Sequence, residues 1–132
     1  MRTNCARALY EDPAATLDDL REAVTTLEEA GRTARRVFGS AHPLTTGIGE
    51  DLQIARAWLL TMRRNYARAL YLAAGATLDD VREAVTTLEE IERIARRVFG
   101  GEHLLTKDIE RDLRNARAAL RARETPPAGD TE

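Results

Sequence analysis

Residues Thr16 to Thr45 read TLDDLREAVTTLEEAGRTARRVFGSAHPLT, and this stretch decides the fold. Its apolar positions, Leu17, Leu20, Val24, Leu27, Gly31, Ala34 and Phe38, alternate in steps of three and four, which is one seam along a helix. Thr16 with Asp19 three residues on has the form of a capping box. Asp18, Asp19 and Glu22 fill the first turn and Arg35 and Arg36 the last, each suited to the helix dipole there. Gly39 is the expected stop. The same stretch returns at Thr77 to Thr106 as TLDDVREAVTTLEEIERIARRVFGGEHLLT.

The repeat extends well beyond these blocks. A shift of 61 residues aligns Asn4–Arg63 with Asn65–Glu124 without a gap, with 37 identities in 60 pairs, and only a duplication accounts for that. The expected organisation is therefore one α-helical repeat domain over residues 1–123, with copies 4–63 and 65–124, followed by a Pro/Gly/acidic tail at 125–132 expected to be disordered.

Around the two capped helices the chain predicts three more. Residues 2–10 read as a short helix ended by Glu11-Asp12-Pro13. After His42-Pro43 a helix of about 30 residues is expected from Leu44 to about Ala73, with room for a bend at Arg63-Arg64. Its seam is read as Leu44, Ile48, Leu52, Ala55, Leu59, Met62, Tyr66, Leu70 and Ala73, with Ile54 and Trp58 on a second flank. The last helix is expected over about Leu105 to Arg123.

The copies differ in an informative direction. Ala30 and Thr33 become Ile91 and Ile94, so the second capped helix should be the more deeply buried. Ile54, Trp58, Leu60 and Met62 become Asn115, Ala119, Arg121 and Arg123, a polar flank suited to a terminal helix of an array.

The block resembles the second helix and inter-repeat turn of tetratricopeptide repeats of the kinesin light chain type. The matching residues are Glu22-Ala23, Val37-Phe38-Gly39, His42-Pro43 and Thr45, and in the second copy Glu83-Ala84, Val98-Phe99-Gly100, His103 and Thr106. The resemblance implies an all-α array of stacked antiparallel helical hairpins with a long central helix, whose work is binding peptides or protein segments. The sequence departs from that family in its 61-residue period and in Leu104, which stands where the motif has Pro.

Composition narrows the function classes. The 132 residues carry 20 basic against 22 acidic side chains, so the net charge of −2 makes no electrostatic case for nucleic acid. The longest apolar run, Ala69 to Ala76, is far short of the roughly 18 residues needed to span a bilayer, and no membrane role is expected. The N-terminus has no apolar leader core, so an intracellular, cytoplasmic protein is expected.

Chemistry is equally sparse. Cys5 is the only cysteine, so neither an internal disulfide nor a thiolate metal site can be built. His42 and His103 lack further ligands at metal spacing and read as turn or cap residues. The Arg35-Arg36, Arg63-Arg64 and Arg96-Arg97 pairs sit among glutamates and read as a solvated, salt-bridged face. No enzymatic activity, metal or cofactor is expected.

One stripe of the long helix, Gln53, Leu60, Arg64 and Tyr71, falls away from the expected seam. It reads either as a partner-binding surface or as a face covered by another helix of the same chain. The leading functional expectation is a non-enzymatic protein–protein interaction module with a protein or peptide partner. Two alternatives stay open: a self-associating structural oligomer, such as a homodimer in which the incompletely covered first copy is buried, and a helical-repeat RNA binder.

Overall fold

The computed structural model describes residues 16–124, and it is all-α: four helices, with no strand among the described residues. They are α1 (Leu17–Phe38), α2 (Pro43–Leu72), α3 (Leu78–Phe99) and α4 (Leu104–Glu124). The expected helix over 2–10, with Cys5, and the tail from Thr125 lie outside the described residues. The chain divides into two compact units, Met1–Leu59 and Leu60–Glu132, with the border inside α2.

Both capped helices form as their ends dictate. The Thr16 hydroxyl accepts from the Asp19 amide at 3.1 Å, and the Asp19 carboxylate accepts from the Thr16 amide at 3.0 Å. Thr77 and Asp80 repeat this pair at the same distances. At the other ends Gly39 and Gly100 have φ of 88° and 90°, a region that disfavours a side chain, and each donates its amide to the last helical turn, at Arg35 O and Arg96 O.

The connection to the next helix is built on histidine. His42 Nδ1 accepts from the Leu44 amide and His103 Nδ1 from the Leu105 amide, both at 3.1 Å. An imidazole nitrogen thus satisfies one of the amides that a helix start leaves without an intrahelical partner. Each ring also lies against the preceding phenylalanine, with centroids 4.6 Å apart for Phe38–His42 and 4.7 Å for Phe99–His103. The cap reading of both histidines is thereby met. Pro43, whose missing amide costs nothing at a first helical position, follows His42.

In the first unit, Leu20, Ala23, Leu27 and Ala34 of α1 are buried, as are Ile48 and Ala55 on α2. Gly31 lets the backbones come close, since a methyl built there would lie 3.6 Å from Ile48 Cγ2. In the second unit one cluster joins Leu60, Ala67 and Tyr71 of α2 to Val81, Leu88, Ile91 and Ala95 of α3 and to Ile109, Leu113 and Ala116 of α4. Each large aliphatic side chain closed from water in this way contributes roughly 1.5–3 kcal/mol. Ile91 is fully buried, whereas its counterpart Ala30 is only partly so, in line with the deeper setting expected of α3.

The pairing of α3 with α4 is antiparallel, and its ion pairs record the register. Arg82–Glu124, Glu89–Arg117 and Arg96–Glu110 follow one another at intervals of seven residues, descending α4 as they ascend α3.

The seam expected for α2 is corrected in its second half. In the second unit the buried line is Leu60, Ala67 and Tyr71, while Tyr66 is half exposed. The adjacent pairs Leu59-Leu60, Tyr66-Ala67 and Leu70-Tyr71 make two neighbouring stripes apolar, so spacing by three and four fits both. The neighbours α3 and α4 decide between them. Phe38 and Leu44, also expected in the seam, are about half exposed in the first unit, because they sit at the open end of the α1–α2 connection.

Candidate functional site

The four residues expected to form a partner-binding stripe separate in the structure. Gln53 is exposed and accepts from Arg56 at 3.4 Å. Leu60 and Tyr71 are 2% and 7% exposed, inside the core of the second unit. Arg64 donates from Nε to Asp112 Oδ2, a carboxylate only 4% exposed on α4. The Tyr71 hydroxyl donates to Asp112 Oδ1 at 3.3 Å, and Arg68 Nε lies 3.7 Å from the same oxygen. Burial, and then the Asp112 charge, push the Tyr71 phenol above its ordinary value.

Leu60, Arg64 and Tyr71 are therefore engaged within the chain, and a partner could reach them only by displacing α4. From Leu60 to Tyr71 the stripe is a covered face, while Gln53 stays exposed. Its cause is a carboxylate at a core position: Asp112 falls on the arc of Ile109, Leu113 and Ala116. A charge there must be paired, and two arginines with a tyrosine supply the pairing. An acid on an otherwise apolar arc was the available signal for this network.

What the first unit leaves open lies elsewhere on α2. Ile54 and Trp58, four residues apart and next to Gln53, are 47% and 51% exposed. Their counterparts on α4 are Asn115 and Ala119. A half-exposed tryptophan beside a half-exposed isoleucine is the kind of surface whose covering by a partner releases free energy.

A second feature appears when equivalent places in the copies are compared. Between α1 and α2 a cavity of about 210 Å³ is lined by Gly31, Arg32, Arg35, Thr45, Gly49 and Arg56, among others. Between α3 and α4 a cavity of about 220 Å³ is lined by Glu92, Arg96, Glu110, Arg114 and Arg117 with Leu113. The volumes match, so charge is what distinguishes them.

Position for position, Glu92 stands where the first copy has Gly31, and Glu110 where it has Gly49. Both glutamates grip Arg96: Glu92 Oε2 accepts from Nε at 3.1 Å, and Glu110 from an Nη. Glu92 above all, then Glu110, hold the Arg96 guanidinium more firmly charged than usual. One pair beside the cavities is kept in both copies: Arg56–Glu28 at 3.1 Å corresponds to Arg117–Glu89 at 3.0 Å.

Among the described residues no group of three or more His, Cys, Asp and Glu is placed to hold a metal ion. Nor is any helix there long and apolar enough to cross a membrane. No protein-family model matches this chain, and no curated protein or solved structure does either.

Proposed function

We propose that this chain is a non-enzymatic protein–protein interaction module, built from two copies of a tetratricopeptide-like helical unit and working inside the cell. The observation that carries the reading is the Ile54–Trp58 surface of α2, half exposed where the second copy has Asn115 and Ala119. An apolar pair kept at one copy and replaced by small or polar residues at the other suits a contact made by the first copy alone. A partner helix or extended segment laid across it would bury the indole, the kind of anchor that dominates interface energetics. The tetratricopeptide likeness rests on the Gly39 and Gly100 stops, the histidine caps after them and the antiparallel α3–α4 pair.

A second reading, self-association, rests on the same face, which a second copy of the chain would also cover. One experiment separates the two. A photo-crosslinking residue at position 58 should capture a distinct partner, while the chain alone remains monomeric by light scattering. The substitutions Ile54→Asn and Trp58→Ala install residues the second copy already carries, and they should abolish capture and leave the helical content unchanged. Crosslinks only to a second copy would replace the leading reading by self-association. Capture that persists in the doubly substituted chain would exclude this surface altogether.

A further inference from the structure

Arg35 and Arg96 are equivalent residues, each in the last turn of its helix, yet only one is neutralised. Arg96 lies between the Glu92 and Glu110 carboxylates. Arg35 shares its cavity with Gly31 and Gly49 instead, and among the described residues neither it nor its cavity neighbour Arg32 has an ion pair. The third arginine of that cavity, Arg56, is held by Glu28. The first cavity thus keeps the counterparts of Arg96 and Arg117, lacks the two carboxylates that hold Arg96, and has Glu28, engaged by Arg56, as its one acidic lining residue.

Thr45 adds an independent mark. It is 7% exposed, it lines this cavity, and its hydroxyl has no hydrogen-bond partner. Thr106, its counterpart, is also unpartnered but fully buried and does not line the second cavity. A buried, unpartnered hydroxyl on a residue that lines an arginine-bearing cavity is a donor held next to the place an anion would take.

We propose that the cavity between α1 and α2 is a carboxylate-binding site, in which a ligand's acids take the places that Glu92 and Glu110 hold in the second copy. Arg35 is the principal contact and Arg32 the second charge. The guanidinium fork is shaped for a carboxylate, and charge-assisted bonds of this type are the strong ones. Gly31 and Gly49 supply room: a Cβ at Gly31 would meet only Ile48 at an ordinary distance, and one at Gly49 would meet nothing within 4 Å. The acids come either from glutamate or aspartate side chains of a bound peptide or from a small dicarboxylate. The peptide source deepens the interaction-module reading and rests on it; the dicarboxylate source does not.

The internal comparison also supplies the test. Gly31→Glu with Gly49→Glu restores the second copy's carboxylates, so Arg35 becomes satisfied from within. Titration calorimetry on the full chain at low salt would use glutarate, a hexapeptide with two glutamates, and the same peptide with glutamines. The expected result is binding of glutarate or the glutamate peptide, none of the glutamine peptide, and no binding to the doubly substituted chain. Arg35→Gln should weaken binding by about tenfold or more, the loss of one charge-assisted hydrogen bond. The doubly substituted chain should melt no lower than the original, since two helical glycines are replaced, and this separates a filled site from a failed fold.

Binding that the double substitution leaves unchanged, equal binding of both peptides, or no binding of any acid each overturns the proposal. A glutamine peptide bound equally by both chains would do so while leaving the interaction module standing. Glutarate bound, and lost on double substitution, with no peptide bound would keep the site and remove the module.

Discussion

Around Arg96 the second copy closes its charges on itself, and around Arg35 the first leaves them open. Arg96 sits between two glutamates, Asp112 gathers Arg64, Arg68 and Tyr71, and α4 presents Asn115, Arg121 and Arg123 outward. At the matching places the first copy has Arg35 beside two glycines, and Ile54 and Trp58 on its surface. Two sequences that share most of their core positions can therefore serve different ends. Among the described residues the second copy meets Arg96 with two acids, while the first keeps a cavity in which Arg32 and Arg35 have no ion pair, and a half-exposed apolar face.

The largest test of this contrast is the buried carboxylate. Asp112→Ala removes the acceptor for Arg64 and Tyr71 and leaves a partly buried arginine uncompensated, so it should cost about 3–5 kcal/mol of unfolding free energy in urea titrations. A loss below about 1 kcal/mol would mean that water, and not Asp112, satisfies these groups.

A smaller effect is expected at Tyr71. Tyr71→Phe should cost about 1 kcal/mol near neutral pH, the ordinary net worth of one hydrogen bond. The phenol's folded value lies above the ordinary 10.0 of a free tyrosine, because burial and the Asp112 charge disfavour its ionised form. The stability that this shift confers is complete below pH 10.0 and is lost as pH rises through the raised folded value, because the unfolded chain gives up its proton first. The phenylalanine variant should therefore show a shallower alkaline decline in a pH series of melts. An unchanged slope would detach Tyr71 from the Asp112 network.

The smallest effect has the opposite sign. Gly31→Ala should stabilise by about 0.5–1 kcal/mol, because the glycine is helical and the added methyl meets only Ile48 at 3.6 Å. Glu92→Ala, at the equivalent place, should destabilise by about 1 kcal/mol, since it removes a partly exposed ion pair with Arg96. Equal signs at the two positions would erase the distinction between the open and the closed copy.

Much of this architecture was legible in the residues. Thr16, Asp19 and Gly39, with their counterparts Thr77, Asp80 and Gly100, mark helix ends by local chemistry, and local chemistry does not depend on the rest of the fold. The histidine caps were readable for the same reason. The buried stripe of α2 was not, because Leu59-Leu60 and Leu70-Tyr71 make two stripes equally apolar, and only the neighbouring helices choose between them. Whether Arg64 and Tyr71 formed a surface or a covered face stayed open in the sequence because their partner, Asp112, lies 48 and 41 residues away. The open cavity is illegible for a further reason: its signal is two glycines where the other copy has acids, and a missing side chain has no periodicity.

The ion pairs between α3 and α4 have a consequence for how the chain finds its structure. Singly, exposed pairs of this kind add little to stability. Spaced by seven residues on both helices, they act as an index. Sliding α4 by one turn in one direction would set Arg82, Glu89 and Arg96 against Leu120, Leu113 and Thr106. Sliding it the other way would keep Glu89 against an arginine, Arg121, but would set Arg96 against Arg114 and carry Arg82 past the end of α4. An apolar seam repeating every three to four residues tolerates such a slide, because leucine meets leucine in several alignments. The charges do not tolerate it, so the α3–α4 pair can be held in one alignment by contacts that scarcely hold it together.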